Sequence, residues 1–442
     1  PLLGRVSNLG RLPIHGRPDY WTTLGRIQSG MVLDFTSASI ADALAAYGFA
    51  FARASTATRF TSSGVMETVS SGAMRIDHDP VTRAPLGYLC EETSTNHVRN
   101  STMVGVVTGS PGTLPTNWSS ADAGLTRTVV GSGTESGMAY VDVRWNGTSS
   151  STLVQVLFDT STAIAASASQ AWTGSVYLRL VDGSLANVNS IGSGIAYRDS
   201  GGSGITSATT NFSVTSGGLL SQRASHTSTS PALTAYSQLI VNVSVVNGAA
   251  IDITLRIGAP QLEQRAFATS FIPTAGSALT RQLDALTLGD LSRIGFNPAA
   301  SSVIAQGRIL GQSALVYPGV VVLGIGVEGD KVVLYRDGAS SRFSVDAKTA
   351  GVIQYSLSVT AAPATGAEYK TAFAFAANDA SQTTSGAAPV KDTSVALSTI
   401  LDRMSIGGFQ ARGGGTNGAQ IIRRVDYYPR RLPDAELQSL TA

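Results

Sequence analysis

The sequence predicts a mainly β protein: antiparallel β-sandwiches in tandem, preceded by an extended N-terminal arm. Charged residues make up only 14% of the chain while hydrophobic residues make up 43%, and glycine alone occurs 47 times, a composition typical of β-structure with many tight turns. Short apolar runs alternate with polar residues in a period of two. At 442 residues the chain is too long for one ordinary core, so more than one domain is expected.

Residues 1–30 are expected to form the arm. A Gly-Arg pair recurs every six residues and places Arg5, Arg11 and Arg17 in the same register. In an extended chain these arginines would lie on one side, about 20 Å apart. The arm has too little apolar content for its own core, and we favour docking on another protein over mobility.

Residues 31–100 are expected to be a leader with one short helix and several hairpins. Ser39 precedes Ile40 and stands three residues before Asp42, which predicts a capped helix start. The neighbouring Asp77, His78 and Asp79 invite a metal or acid-base hypothesis. Because they flank the turn at Pro80, we interpret the carboxylates as turn-forming.

Residues 101–274 carry the clearest strand pattern. Trp145 and Trp172 share their registers with aliphatic residues, so both are predicted to be core. The opposite registers, which face outward, hold Tyr140, Arg144, Tyr177 and Arg179. Turn pairs separate the runs, as in a sandwich of antiparallel strands; they are Asn146-Gly147, Asp182-Gly183 and Asn247-Gly248.

A joint is expected at residues 251–281, where one strand pattern ends and another begins. Ile251, Ile253, Leu255 and Ile257 alternate with polar residues, and a segment containing Gly258 and Pro260 follows. Residues 282–442 then predict a second sandwich. It begins with a strand meander and ends with a short helix that has Pro433 in its first turn and Leu437 and Leu440 on one edge.

Several stretches resemble the head spikes and tail fibres of bacteriophages and phage-like gene transfer particles. They are ARASTAT at 52–58, DPVT at 79–82, APLG at 84–87, GAPQLEQRAFATSFIPT at 258–274 and LTRQLDALTL at 279–288. The end of the chain resembles that of a laminin-G or concanavalin-A-like domain. The resemblance implies a carbohydrate-binding-module-like jelly roll at 101–274 and a concanavalin-A-like lectin sandwich at 282–442.

That resemblance implies a virion protein that binds host surface polysaccharide during adsorption. For such a ligand, Tyr140, Arg144, Tyr177 and Arg179 offer aromatic faces and planar donors. An alternative is the loop containing Gln410, Arg412 and Asn417, which has no aromatic residue in that set. The implied partners are other virion proteins, contacted through the arm, and the polysaccharide; a homo-oligomer is compatible with the sequence.

Other functions find less support. Cys90 is the only cysteine and there are four histidines, none paired at helical ligand spacing, so we expect no metal site, and we also expect no cofactor. A net charge of +2 and the absence of a long apolar run argue against nucleic acid and membrane insertion. No signal sequence is visible, which favours synthesis in the bacterial host cytoplasm and disfavours a cellular adhesin.

The chain is predicted not to be an enzyme, and no catalytic residue is assigned. A fibre-borne capsule depolymerase stays open as an alternative, since glycan hydrolysis needs only two suitably placed carboxylates. A purely structural spacer is the other alternative, because a sandwich fold does not by itself define a function.

Overall fold

A computed structural model describes residues 30–312, 317–326, 329–360, 363–407 and 418–442. The arm residues Arg5, Arg11 and Arg17 lie outside the described residues, as do Gln410, Arg412 and Asn417. In the described part the chain is mainly β, with antiparallel sheets arranged as two sandwiches, as the sequence predicts.

The first described segment contains one helix and several short strands. The helix starts at Ile40 as expected, but Ser39 makes no side-chain cap; its hydroxyl pairs with that of Ser37 instead. The helix ends at Gly48, whose φ of 83° is in the left-handed region that glycine adopts readily. The elements are β1 (Met31–Asp34), α1 (Ile40–Tyr47), β2 (Phe49–Ala52), β3 (Ala57–Phe60), β4 (Met66–Val69), β5 (Ile76–His78), β6 (Pro85–Glu91) and β7 (Ser94–Asn96).

The first sandwich packs two sheets face to face. One sheet has the order β15-β12-β17-β10-β9 and the other β14-β13-β16-β11-β8. A short 3₁₀ helix, Leu219–Ser221, precedes β15. The strands are β8 (Trp118–Ala121), β9 (Thr126–Glu135), β10 (Met138–Thr148), β11 (Leu153–Phe158), β12 (Ala171–Ser184), β13 (Val188–Arg198), β14 (Gly204–Asn211), β15 (Arg223–Thr229), β16 (Tyr236–Val245) and β17 (Ala250–Glu263).

The core of this sandwich confirms the predicted inward register. Trp145 and Trp172 are both 0% exposed and belong to one apolar cluster between the sheets. Ile253, Leu255 and Ile257 of β17 are equally buried. Period two therefore places the whole apolar set of each strand on the same face, where it is removed from water.

The second sandwich follows directly. After β18 and β19, a 3₁₀ helix at Leu291–Ile294 leads into the longer strands, and β21 to β24 form the predicted meander. The elements are β18 (Leu279–Arg281), β19 (Ala285–Leu288), β20 (Ala300–Gly311), β21 (Gly319–Gly324), β22 (Lys331–Arg336), β23 (Phe343–Thr349), β24 (Val352–Ser358), β25 (Glu368–Ala376), β26 (Asp379–Thr384), β27 (Val390–Asp392), β28 (Arg403–Ile406), β29 (Ala419–Tyr428) and α2 (Asp434–Thr441).

The segment expected as a leader is built into this second sandwich. Strands β1 and β6 both pair with β29, and β5 pairs with β6, in the sheet β27-β26-β25-β20-β29-β6-β5. Strand β2 pairs with β19 at the edge of the sheet β2-β19-β28-β21-β22-β23-β24. Residues 31–100 thus complete a sandwich whose other strands come after residue 279.

The joint after β17 follows from this arrangement. The chain must reach the first sandwich from a segment that already belongs to the second, and then return to the second through residues 264–278. Two chain crossings therefore lie side by side between the sandwiches, and β7 pairs with β18 where they meet.

Candidate functional site

The outward face of the sheet β15-β12-β17-β10-β9 is one of the two predicted ligand surfaces. Around Arg144 and Arg256, ion pairs occupy this face. Arg144 donates two hydrogen bonds of 2.7 Å to Asp252. Arg256 does the same to Asp142 over 2.8 Å, and its Nη1 lies 2.6 Å from an oxygen of Glu135. These carboxylates occupy the guanidinium groups that a glycan would need as donors.

Arg179 and Tyr140 belong to the same network. Arg179 lies 3.5 Å from Glu135, with 23% of its side chain exposed. The guanidinium carbon of Arg256 lies 3.4 Å from the centre of the Tyr140 ring, which covers that ring face with a cation. Tyr140 therefore stabilises an arginine and does not present an open ring to a ligand.

Tyr177 is outward in register but not exposed, so the prediction that it faces solvent is wrong. It is only 4% exposed and packs with Met66 and Phe271. The reason is that two segments cover the part of this face around Tyr177. One is the β3–β4 hairpin, and the other is the chain at 264–274, which crosses the face on its way to the second sandwich. Local periodicity identifies a face but not what folds over it.

A buried charge cluster, which we call the joint cluster, holds the two chain crossings together. Its members are Arg53, Arg75, Glu91, Arg281 and Asp284. Arg53 lies 2.9 Å from Asp284, and Arg75 pairs with both Asp284 and Glu91. All five side chains are at most 1% exposed. Removal of one charged partner would therefore leave the other charge buried without compensation and would destabilise the fold.

Glu91 is held ionised within this cluster. Burial alone would raise its pKa, but Arg281 and Arg75 hold the pKa of the Glu91 carboxyl well below its usual range. Ser270 donates both its backbone N–H, over 2.7 Å, and its hydroxyl, over 2.5 Å, to the two Glu91 oxygens. Those oxygens are thus already engaged by donors.

Beside the joint cluster lies a cavity of about 250 Å³, which we call the junction pocket. Its walls come from the hairpin and strands of residues 31–100, from β12 and β15 of the first sandwich, from residues 268–271 of the joint and from the end of β20. The lining side chains are Thr58, Arg59, Phe60, Met66, Asp77, Leu89, Glu91, Tyr177, Arg223, Ala268, Thr269, Ser270, Phe271 and Leu310. A site assembled from both sandwiches and the joint exists only in the folded chain.

Asp77 gives the junction pocket a titratable acid. The side chain is 8% exposed and its Oδ1 accepts a 2.7 Å hydrogen bond from the backbone N–H of Phe60. Burial raises the pKa of Asp77 to about 6, although that hydrogen bond and Arg75 favour the ionised form. The interpretation of Asp77 as turn-forming is therefore wrong, whereas Asp79 does accept two turn N–H groups, from Val81 and Thr82.

Arg223 supplies the pocket with a cationic donor. Its guanidinium carbon lies 5.6 Å from the centre of the Tyr177 ring. Its Nη2 donates to the hydroxyl of Ser175 over 2.9 Å and to the carbonyl of Thr269 over 2.8 Å. Arg59, the other arginine of the wall, is instead paired with Glu67 over 2.7 Å.

The sequence hypotheses missed Arg223 as a site residue, and they raised an acid-base role for Asp77 but preferred a turn-forming one. Arg223 begins a strand of polar residues with no motif around it, and its neighbour Tyr177 is 46 positions earlier in the chain. A usable signal lay in the segments that resemble fibre proteins, since Thr58 and Phe271 fall within them. The Thr58 hydroxyl donates to the Phe271 carbonyl over 2.5 Å, so these segments meet at the pocket wall.

The described ranges also bear on metal binding and on membrane insertion. No group of three or more His, Cys, Asp or Glu residues there could hold a metal ion. No helix in those ranges has the length and apolar character needed to cross a membrane.

Comparison with known proteins assigns no family. No family model matches the chain, and no curated protein matches it. Solved structures with similar parts include the CBM40 of the Ruminococcus gnavus IT-sialidase bound to α2,3-sialyllactose, with 18% identity, a TM-score of 0.29, and coverage of 33% of this chain and 84% of that one.

Two other similar structures come from glycosidases. Domain 4 of AbnA, an extracellular arabinanase of Geobacillus stearothermophilus in complex with arabinotriose, is 11% identical with a TM-score of 0.30, covering 36% of this chain and 73% of that one. A Trypanosoma rangeli sialidase is 17% identical with a TM-score of 0.29, covering 35% and 25%. At these TM-scores the likeness carries no functional argument for this chain.

Proposed function

We propose that this protein is a virion fibre or spike subunit that binds host surface polysaccharide, and that the junction pocket receives one sugar unit of that polymer. The observation that supports this most is the composition of the pocket wall. The ring of Tyr177 lies beside the planar donor Arg223 and the acceptor Asp77. Aromatic faces and convergent planar polar groups are what sugar recognition requires.

The size of the pocket supports a single sugar unit. Pockets for drug-sized ligands span about 300–1,000 Å³, and the junction pocket, at about 250 Å³, lies just below that range. A terminal or branching sugar would enter, while the rest of the polymer would lie over the rim.

The rigidity of the joint suits a fibre. The joint cluster and the shared strands of residues 31–100 fix the two sandwiches to each other through buried contacts. A fibre subunit must transmit load along its length without its domains separating. We also propose that the arm, residues 1–30, attaches the subunit to other virion proteins.

A pocket-filling variant tests the binding site. Ala268 lines the pocket and Ala266, two residues earlier in the joint, does not. We expect Ala268→Trp to abolish binding of the host's capsular polysaccharide to purified protein, while Ala266→Trp binds like the wild type. Equal binding by both variants would exclude the junction pocket as the binding site. If the wild-type protein bound no capsular polysaccharide of its host strains, the proposed function itself would be excluded.

The virion half of the proposal has its own experiment. Protein lacking residues 1–29 should keep the thermal unfolding profile of the full chain but be absent from purified particles, as measured by immunoblotting. Normal incorporation of the shortened chain would remove the arm from the proposal, and absence of the full-length chain from particles would remove the virion role.

A glycan hydrolase is the second candidate, favoured by one observation. Asp77 and Glu91 line the same pocket, and their environments shift their pKa values in opposite directions, as in a general acid and its ionised partner. Against it, two arginines and Ser270 already engage the Glu91 oxygens. New reducing ends that appear with wild-type protein and not with Asp77→Asn would establish the hydrolase.

A further inference from the structure

The ion pairing of Arg223 differs from that of the other arginines on its face of the first sandwich. Arg144, Arg179 and Arg256 each pair with a carboxylate. Arg223 has no carboxylate within ion-pairing distance among the described residues. Its partners there are the Ser175 hydroxyl, the Thr269 carbonyl and the Tyr177 ring. Its Nε is buried and unpaired.

The rest of the pocket wall does not supply the missing anion. Glu91 is engaged by the joint cluster, and Arg59 takes up Glu67. Asp77 is the remaining acid of the wall, and it accepts from the backbone of Phe60 and not from Arg223. A half-buried guanidinium without a counter-ion, facing a cavity, is most stable when a ligand provides one.

We propose that the sugar bound in the junction pocket is a carboxylate-bearing one, such as a uronic acid, whose carboxylate pairs with the guanidinium of Arg223. This inference rests on the function proposed above and narrows it to a class of sugar. Because both Nη2 hydrogens of Arg223 already donate to Ser175 and Thr269, the carboxylate would accept from the Nη1 hydrogens in a charge-assisted pair. A phosphorylated sugar fits less well, because its greater negative charge would lie among the carboxylates of Asp77 and Glu91.

The Tyr177 hydroxyl provides a second contact. It has no hydrogen-bond partner among the described residues. The ring that bears it lines the pocket and lies under the Arg223 guanidinium. A phenol hydroxyl at the wall of a pocket can donate to a ligand oxygen. Tyr177 and Arg223 together would therefore fix both the position and the orientation of the sugar.

Binding of such an anion depends on pH through Asp77. The charged and titratable groups around Asp77 are Arg75 and Glu91 of the joint cluster, its neighbour His78, and Arg59, Tyr177 and Arg223 of the pocket wall. Because an anionic ligand repels ionised Asp77, it binds better when Asp77 is protonated. Affinity should therefore rise as the pH falls from 8 to 5, a range in which a sugar carboxylate stays ionised.

The experiment uses an array of glycans that end in glucuronic, galacturonic or N-acetylneuraminic acid, each printed also in its carboxyl-reduced form. The full chain should bind at least one acidic glycan ten times more tightly than the reduced form. Arg223→Met, which keeps the length of the side chain, should lose that preference. Arg144→Met, which removes a paired arginine from the open face, should keep it.

The outcomes separate this inference from the proposed function. Equal binding to acidic and reduced glycans, blocked by Ala268→Trp, would overturn the acidic-sugar inference and leave glycan binding in the pocket intact. Acid-dependent binding that survives Arg223→Met would assign the carboxylate to another group and also overturn it. No binding to either form of any glycan, and none to capsular polysaccharide, would overturn the proposed function itself.

Discussion

Arg53 and Asp284 lie 231 positions apart in the sequence and form a buried ion pair, with 2.9 Å between Arg53 Nη1 and Asp284 Oδ1. Arg53 is the residue after the end of β2, and Asp284 is the residue before β19, the strand with which β2 pairs. Asp284 also accepts from Arg75 and from the backbone N–H of Glu91. One carboxylate thus connects three parts of the joint, and the junction pocket depends on the geometry it maintains.

Replacement of Asp284 should therefore be costly. In Asp284→Asn the Arg53 and Arg75 guanidinium groups would stay buried without their full counter-charge, and we expect a loss of about 3–5 kcal/mol in the free energy of unfolding. Asp252→Asn, which breaks the exposed pair with Arg144, is the matched control and should leave stability nearly unchanged. Chemical denaturation of both variants measures the difference; a similar small effect for both would show that the joint cluster is not a source of stability.

The two core tryptophans should differ in what their indole N–H contributes. Trp145 Nε1 donates to Asp122 over 2.8 Å, whereas Trp172 Nε1 is buried without a partner. Replacement of either residue by Ala should cost about 3–5 kcal/mol. Replacement by Phe should cost more at Trp145 than at Trp172, because only Trp145 loses a hydrogen bond. Equal costs in thermal or chemical unfolding would contradict this reading of the Trp145 contact.

The residues that point into the core could be predicted from the sequence for a physical reason. Period-two alternation is local, and burial of Trp145, Trp172 and the β17 aliphatic residues follows from it directly. The terminal helix with Leu437 and Leu440 on its buried edge is an equally local feature. Among the three predicted turn pairs, Asn247-Gly248 does form a turn between β16 and β17. The prediction is wrong for Asn146-Gly147 and Asp182-Gly183, which lie within β10 and β12 because both strands extend to pair with β17.

The outward half could not be predicted in this way. Tyr177 is covered by Met66 and Phe271, which are distant in sequence, and Arg256 covers Tyr140 because β10 and β17 pair. The same holds for Asp77 of β5, which lies beside a turn in sequence but accepts from Phe60 of β3, a strand of a different sheet. Which side chains meet on such a face depends on tertiary contacts that periodicity does not encode.

Truncation of Tyr177 and of Arg179, two residues apart on one strand, should change the unfolding free energy by very different amounts. Tyr177→Ala would empty a buried site and should lower the unfolding free energy by about 3–5 kcal/mol. Arg179→Ala removes a partly exposed arginine at 3.5 Å from Glu135 and should change it by less than about 1 kcal/mol. Tyr177→Phe keeps the packing and serves as the control. An unchanged melting temperature for Tyr177→Ala would mean that this face is open.

Asp77 should make stability depend on pH in a defined direction. Its pKa rises from 3.8 to about 6 on folding, so between these values the folded protein binds more protons than the unfolded chain, and stability falls as the pH rises. The stability of the wild type relative to Asp77→Asn should thus decrease by up to about 3 kcal/mol between pH 4 and pH 7.5. Glu91 shifts in the opposite direction but is present in both proteins. A pH-independent difference would show that folding does not raise the pKa of Asp77.

The most direct measurement of glycan binding in the junction pocket is a crystal structure of the full chain with a bound oligosaccharide that ends in a uronic acid. We expect the terminal sugar to lie in the junction pocket, with its carboxylate within 3 Å or so of the Arg223 guanidinium. A sugar bound on the open face around Arg144, or at residues 410–417, with the junction pocket empty, would contradict it.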